Sequence, residues 1–170
     1  MNILLTGSPG IGKSTAIKRV VSKLAPYVAE GFWTSEIRCE SERVGFSITT
    51  LAGQTGLLAH KGLGSGPQVG QYIVNLADID RVIIPVLRHA RKSAKTIVID
   101  EIASMELKSP VFAPEVRECL DTGKVLGTLQ KKGGDFVEEV RSRPDVTVLE
   151  ITVSNRDTMP QRVLGLLNQG

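Results

Sequence analysis

Ile3-Leu4-Leu5-Thr6-Gly7-Ser8-Pro9-Gly10-Ile11-Gly12-Lys13-Ser14-Thr15 opens the chain with a short apolar run, a glycine-rich segment and a lysine followed by two hydroxyls. From Lys13 onward, Ile17, Val20, Val21 and Leu24 keep the i, i+3, i+4, i+7 spacing of an amphipathic helix, which predicts a helix from Lys13 to Leu24 ended by Pro26. The order is strand, glycine loop, helix. Within it, Gly7 to Ser14 matches the pattern GxxxxGK[ST] in full, which makes the segment a candidate phosphate-binding P-loop. The residue types follow from that chemistry. Gly7, Ser8, Gly10, Ile11 and Gly12 present backbone N–H groups to phosphate oxygens, Pro9 shapes the loop without an N–H of its own, and the helix N-terminus, carrying Thr15, adds positive potential. Lys13 reaches the β- and γ-phosphates and the Ser14 hydroxyl coordinates Mg²⁺.

Outward from this segment, short apolar runs alternate with stretches of helical period, the mark of an α/β fold with a mostly parallel sheet flanked by helices. Gly31 to Arg38 reads as extended, Val44, Phe46 and Ile48 alternate with small residues, and polar Cys39 to Arg43 joins them, so an antiparallel hairpin is expected. His60 to Gly70 is too rich in glycine for a regular element and is expected to be a mobile loop. Ile79, Val82, Ile83, Val86, Leu87 and Ala90 describe a helix with Asp78 as its cap and a kink at Pro85. Later elements are expected as a helix over 110–120, strands over 125–129 and 146–153, and helices over 135–141 and 159–167. No linker interrupts them, so residues 1–170 are expected to form one domain.

Thr96-Ile97-Val98-Ile99 is a continuous β-branched run suited to a strand buried on both faces, and Asp100-Glu101 closes it. Open parallel sheets bind ligands at the carboxyl ends of their strands, so this pair belongs near the glycine loop. Asp100 is the candidate Mg²⁺ ligand with Ser14. Glu101 is the candidate general base that activates a water for attack on the γ-phosphate.

Composition narrows the context. The chain has 170 residues, 41% hydrophobic and 23% charged, and 21 Lys plus Arg against 18 Asp plus Glu leave a net charge of only +3. That excludes disorder as the dominant state and makes a nucleic-acid partner weakly supported. Cys39 and Cys119 form no metal-binding or disulfide pattern, and no apolar run reaches the roughly 18 residues of a membrane span. A cytoplasmic protein with no membrane partner is expected, monomeric in the simplest case.

Beyond the glycine loop, four stretches resemble the THEP-type, or cancer-related, nucleoside-triphosphatases. They are Gly31-Phe32-Trp33-Thr34-Ser35-Glu36-Ile37-Arg38, Val69-Gly70-Gln71-Tyr72-Ile73-Val74-Asn75, Ile99-Asp100-Glu101-Ile102 with Met105-Glu106-Leu107, and Asn155-Arg156-Asp157. The resemblance spans about Ile3 to Leu167. It implies a RecA-like P-loop fold and hydrolysis of nucleoside triphosphates to diphosphates and phosphate, with tolerance of several bases. One departure stands out: Ala103 and Ser104 follow Asp-Glu-Ile where the family pattern has a glycine, which predicts a differently held backbone there.

Further candidates carry two readings each. Glu36 and Arg38 share one strand face and either orient Glu101 and the γ-phosphate or form an ion pair. Glu106 either supports the site or is a structural carboxylate. Arg88, in a basic helix end with Arg91, Lys92 and Lys95, is either an arginine finger or a solvated terminus. Arg156 either approaches the nucleotide or belongs, with Asn155, to a helix entry. Trp33 is expected to pack, Lys131-Lys132-Gly133-Gly134 to form an exposed turn, and His60 and His89 to take no catalytic part. Three functions compete: a Mg²⁺-dependent nucleoside-triphosphatase, a kinase with the Gly62–Gly70 loop as its lid, and a nucleotide-gated binding module. Lys61 would be the one cation near this lid, which disfavours the kinase.

Overall fold

The computed structural model describes residues 1–25 and 28–168, so Pro26 lies outside the described residues. One nine-stranded sheet organises them. Its parallel half sets β2 (Ala29–Cys39), β7 (Thr96–Ile102), β8 (Val125–Leu129), β1 (Asn2–Thr6) and β9 (Val146–Glu150) side by side in that order. Its antiparallel half continues from β2 through β3 (Glu42–Thr50), β4 (Thr55–His60) and β6 (Tyr72–Val74) to β5 (Gln68–Val69).

The period of two along the strands separates two cores. On one face Ile3, Leu5 and Val98 pack with Ala16, Ile17 and Val20 of α1 (Lys13–Val21) and with Met159 and Val163 of α6 (Met159–Leu167). On the other face Leu4, Ile97 and Ile99 meet α3 (Ile84–Ser93), α4 (Phe112–Leu120) and α5 (Asp135–Ser142). The Phe32 ring stands edge-on to Phe112 at 6.4 Å between centroids. Burying both faces of β1 and β7 requires their unbroken apolar runs, and it places their carboxyl ends on one edge.

The structure corrects several expectations. The antiparallel part is a four-strand wing rather than one hairpin, because Thr55–His60 and Tyr72–Val74 also pair. The segment expected to be a loop over His60–Gly70 ends in strand: Gln68 and Val69 pair with Ile73 and Tyr72, and Val74 N–H donates to Pro67 O at 2.8 Å. Asp78 is not a cap. The helical stretch begins as α2 (Leu76–Asp78), capped by Asn75, while the Asp78 carboxylate accepts the Leu57 N–H at 2.7 Å. The irregularity expected at Pro85 falls just before it, as a π-helical turn over Ile79–Ile83; Pro85, lacking an N–H, then fits the first turn of α3. Helix α1 stops at Val21, short of Leu24. Strand β9 stops at Glu150 rather than residue 153, because the Asn155 side chain captures the Thr152 N–H at 2.8 Å.

Candidate active site

The glycine loop leaves β1 and enters α1 at the carboxyl edge of the sheet. Gly12 precedes the helix at φ 109°, a left-handed conformation that favours glycine, and a Cβ on Gly7 would stand 2.7 Å from Ile151 O. Lys13 folds back over this loop. Its Nζ donates to Gly7 O at 3.3 Å and lies 3.6 Å from Glu101 Oε1. The cation of the loop and the carboxylate of β7, 88 residues later in the sequence, therefore face each other across one small space.

Asp100 ends the part of β7 that pairs with β2, and a cis peptide bond joins it to Glu101. Asp100 is 1% exposed, and its Oδ1 accepts the Thr128 hydroxyl at 2.6 Å while Oδ2 has no protein partner. Burial pushes its carboxyl above the ordinary value, against the lowering effect of the Thr128 and Ser14 hydroxyls and the Lys18 and Lys13 charges. A buried carboxylate oxygen left free beside a serine hydroxyl suits a hard, oxygen-seeking cation, so Asp100 and Ser14 fit Mg²⁺. Glu101 is likewise raised by burial, opposed by Lys13 and reinforced by Asp100.

A third carboxyl completes the set. Glu106, in a 3₁₀ turn after β7, is 2% exposed and its Oε2 has no partner. Burial, then the charges of Glu101 and Asp100, push it up to about 8. The turn is pinned by Ser104, whose N–H and hydroxyl both donate to Gln130 Oε1 at 2.9 and 2.8 Å. Ala103 keeps a negative φ, and a side-chain anchor holds the stretch where the family pattern has glycine.

These groups line a cleft of about 680 Å³ that runs from Gly7, Ser8, Pro9, Gly10, Lys13 and Ser14 past Glu101 and Glu106 to the wing. Glu36 lines it too, bridged by Arg38 and, across the hairpin, by Arg43, each at 2.9 Å. Arg38, Asp100, Ile11, Gly12 and Thr15 stand outside the lining. Arg88 is elsewhere: its Nε donates to Glu115 at 3.0 Å, and Arg91 joins the same carboxylate at 2.8 Å. Arg156 is exposed and also outside the cleft, while Asn155 is spent on its own turn, donating to Glu150 O and accepting from Thr152 N–H. Trp33 lies under Lys18 Nζ at 5.1 Å, a packing role. His60 Nδ1 accepts the Gly62 N–H, His89 Nδ1 lies 2.6 Å from Glu30 Oε2, and neither histidine lines the cleft.

Lys131 and Lys132 lie in an exposed turn as expected and also line the cleft, as do Arg43, Phe46 and Gln130. A signal existed for the two lysines, since they follow β8 at the same carboxyl edge as the loop. Arg43 had a weaker one: a two-residue turn after Cys39 sets Arg43 opposite Arg38, within reach of Glu36.

The family described as NTPase matches residues 2–164. The chain belongs to this NTPase family. Among its relatives, the nucleoside-triphosphatase THEP1 of Thermotoga maritima is 39% identical over 168 residues, covering 98% of this chain and 95% of that protein. The human cancer-related nucleoside-triphosphatase is 40% identical over 172 residues, covering 92% and 90%. The crystal structure of THEP1 from Aquifex aeolicus superposes with a TM-score of 0.91 at 36% identity, covering 98% of this chain and 99% of that one. The solution structure of the human enzyme gives 0.83 at 36% identity. The fold is thus the P-loop α/β fold of the family.

Proposed function

We propose that this chain, acting as one P-loop unit over residues 1–170, hydrolyses nucleoside 5′-triphosphates to nucleoside diphosphate and phosphate. The observation that carries the reading is the 3.6 Å approach of Lys13 Nζ to Glu101 Oε1, which puts a phosphate-binding cation and a carboxylate on one reacting position. The loop amides and Lys13 hold the β- and γ-phosphates. Glu101 accepts the proton of a water placed in line with the γ-phosphorus. Asp100 and Ser14 would hold Mg²⁺, which when bound offsets the charge of the phosphate oxygens. Each recognised group addresses phosphate, and Asn155 holds its own turn outside the cleft lining, so several bases are expected as substrates. No helix among the described residues is long and apolar enough to cross a membrane, in keeping with a cytoplasmic enzyme.

The test is phosphate release from ATP, GTP, CTP and UTP with and without Mg²⁺. Similar Mg²⁺-dependent rates on the four are expected, abolished in Lys13→Ala. Glu101→Gln should bind nucleotide and turn over roughly 10²- to 10⁴-fold more slowly. Near-normal turnover by Glu101→Gln would exclude Glu101 as the base.

A further inference from the structure

The cleft continues past the phosphate end. Lys13, Ser14 and Glu101 form one end, and the other is walled by Phe46 of β3, Leu58 of β4, Val69 of β5 and Met105. The direction between them follows from the strands. Trp33 of β2 pairs with Asp100, and from Thr34 to Cys39 β2 pairs with β3 alone, so the wing extends beyond the carboxylate pair. On the phosphate-site reading, a terminal phosphate between Lys13 and Glu101 lies where the cleft opens toward that wing. Water attack needs room for one small molecule there, whereas the wing end of the cleft is walled by apolar side chains of the kind that hold organic ligands.

The polar groups at the wing match such a ligand. Glu106 lines the cleft and its buried Oε2 has no partner among the described residues, so a second polar group on a bound ligand would satisfy it. At the rim, Arg43 is fixed by Glu36 at 2.9 Å and by the Tyr72 hydroxyl at 3.0 Å, leaving an ordered, polar mouth over apolar walls. Resting on the phosphate-site reading above, we infer that the wing end of the cleft is an acceptor subsite for a small alcohol with an apolar body. Its hydroxyl lies against the terminal phosphate and accepts the phosphoryl group in competition with water. In the transfer, the alcohol oxygen bonds to the γ-phosphorus as the bond from phosphorus to the β,γ-bridging oxygen breaks. The electron pair leaves with the nucleoside diphosphate, the hydroxyl proton passes to Glu101, and the product is a phosphate monoester.

The experiment incubates the enzyme with Mg²⁺ and γ-labelled ATP in the presence of equal concentrations of methanol or benzyl alcohol, and measures labelled phosphate, methyl phosphate and benzyl phosphate. A site built for water favours the smaller alcohol. The subsite favours benzyl alcohol by about tenfold, from burial of the ring against Phe46 and Val69. Val69→Asp should bring that ratio toward one while phosphate release in water alone continues, and Phe46→Ala serves as the second wall variant should Val69→Asp fail to fold. ATP hydrolysis without ester, benzyl phosphate no more abundant than methyl phosphate, or a ratio unmoved by either wall variant refutes the acceptor subsite and leaves the triphosphatase intact. Ester without phosphate refutes water as the usual nucleophile and keeps the subsite.

Discussion

Replacing Glu106 by Gln should make the metal-free protein more stable, and increasingly so as pH rises. In the folded chain Glu106 is buried with an unpartnered oxygen and faces the charges of Glu101 and Asp100, which together push its carboxyl from 4.5 up to about 8. In the unfolded chain it loses its proton near the ordinary glutamate value. Between the two, the folded state holds a proton that the unfolded state has released, so the free energy of unfolding falls with rising pH by about 1.4 kcal/mol per unit. This penalty is absent below the unfolded value and complete above the folded one. Glutamine keeps the shape of the protonated acid and cannot ionise. The variant's advantage over wild type should therefore grow by about 2.5 kcal/mol from about pH 5 to about pH 7, and flatten beyond about pH 8. For a chain of this length that is a gain of roughly 5–10 °C in Tm. Urea unfolding of both proteins in a chelator, at several pH values across this window, reads the difference directly, and titrations common to both cancel. Parallel stability curves for the two proteins would show that Glu106 ionises in the folded state as it does in the unfolded one, and the burial argument would fail.

Other perturbations separate the site from its surroundings. Asp100→Asn keeps a side chain for Thr128 but exchanges an acidic ligand for a neutral amide, so the Mg²⁺ concentration for half-maximal turnover should rise at least about tenfold in a metal titration. Gly7→Ala drives a methyl to within 2.7 Å of Ile151 O at a φ of 153°, and should cost about 1–3 kcal/mol in chemical unfolding together with nucleotide affinity measured by calorimetry. Arg88→Ala removes a largely exposed guanidinium from Glu115, which keeps Arg91, so steady-state hydrolysis should stay within about twofold of wild type and stability should drop by at most about 1 kcal/mol. A hundredfold loss in that variant would restore Arg88 as a group acting on the transition state.

The phosphate end of the site was legible in the sequence because its determinants are local. Gly7 to Ser14 are consecutive, their strand and helix flank them, and the apolar run ending at Asp100 needs no partner to be recognised as a buried strand. The wing was less legible for a physical reason. Thr55–His60, Gln68–Val69 and Tyr72–Val74 are short, interrupted by glycines and lack a clean period of two, so they become strands only by pairing with one another and with β3. The same distinction separates the side chains. Lys13 could be read from its motif, whereas the roles of Gln130, Arg43 and Glu106 arise from contacts made by distant segments: Gln130 reaches Ser104, Arg43 reaches Glu36, and Glu106 is charged against Glu101 only once the 3₁₀ turn folds back.

That division has a consequence for how the site works. Strands β1, β7 and β8 are buried on both faces and carry the proposed phosphate- and metal-binding groups at or just beyond their carboxyl ends, with Asp100 tied to Thr128 of the neighbouring strand. The wing meets the reacting position through half-buried residues and ion pairs such as Glu36 with Arg43, interactions that are weaker and depend on salt. Substitutions in the parallel half should therefore act on phosphate and metal binding, and substitutions in the wing on what attacks the phosphate. The separation of these effects follows from the sheet itself, since β2 is the one strand shared by both halves and its register with β7 ends at Trp33 opposite Asp100, the residue that begins the carboxylate pair.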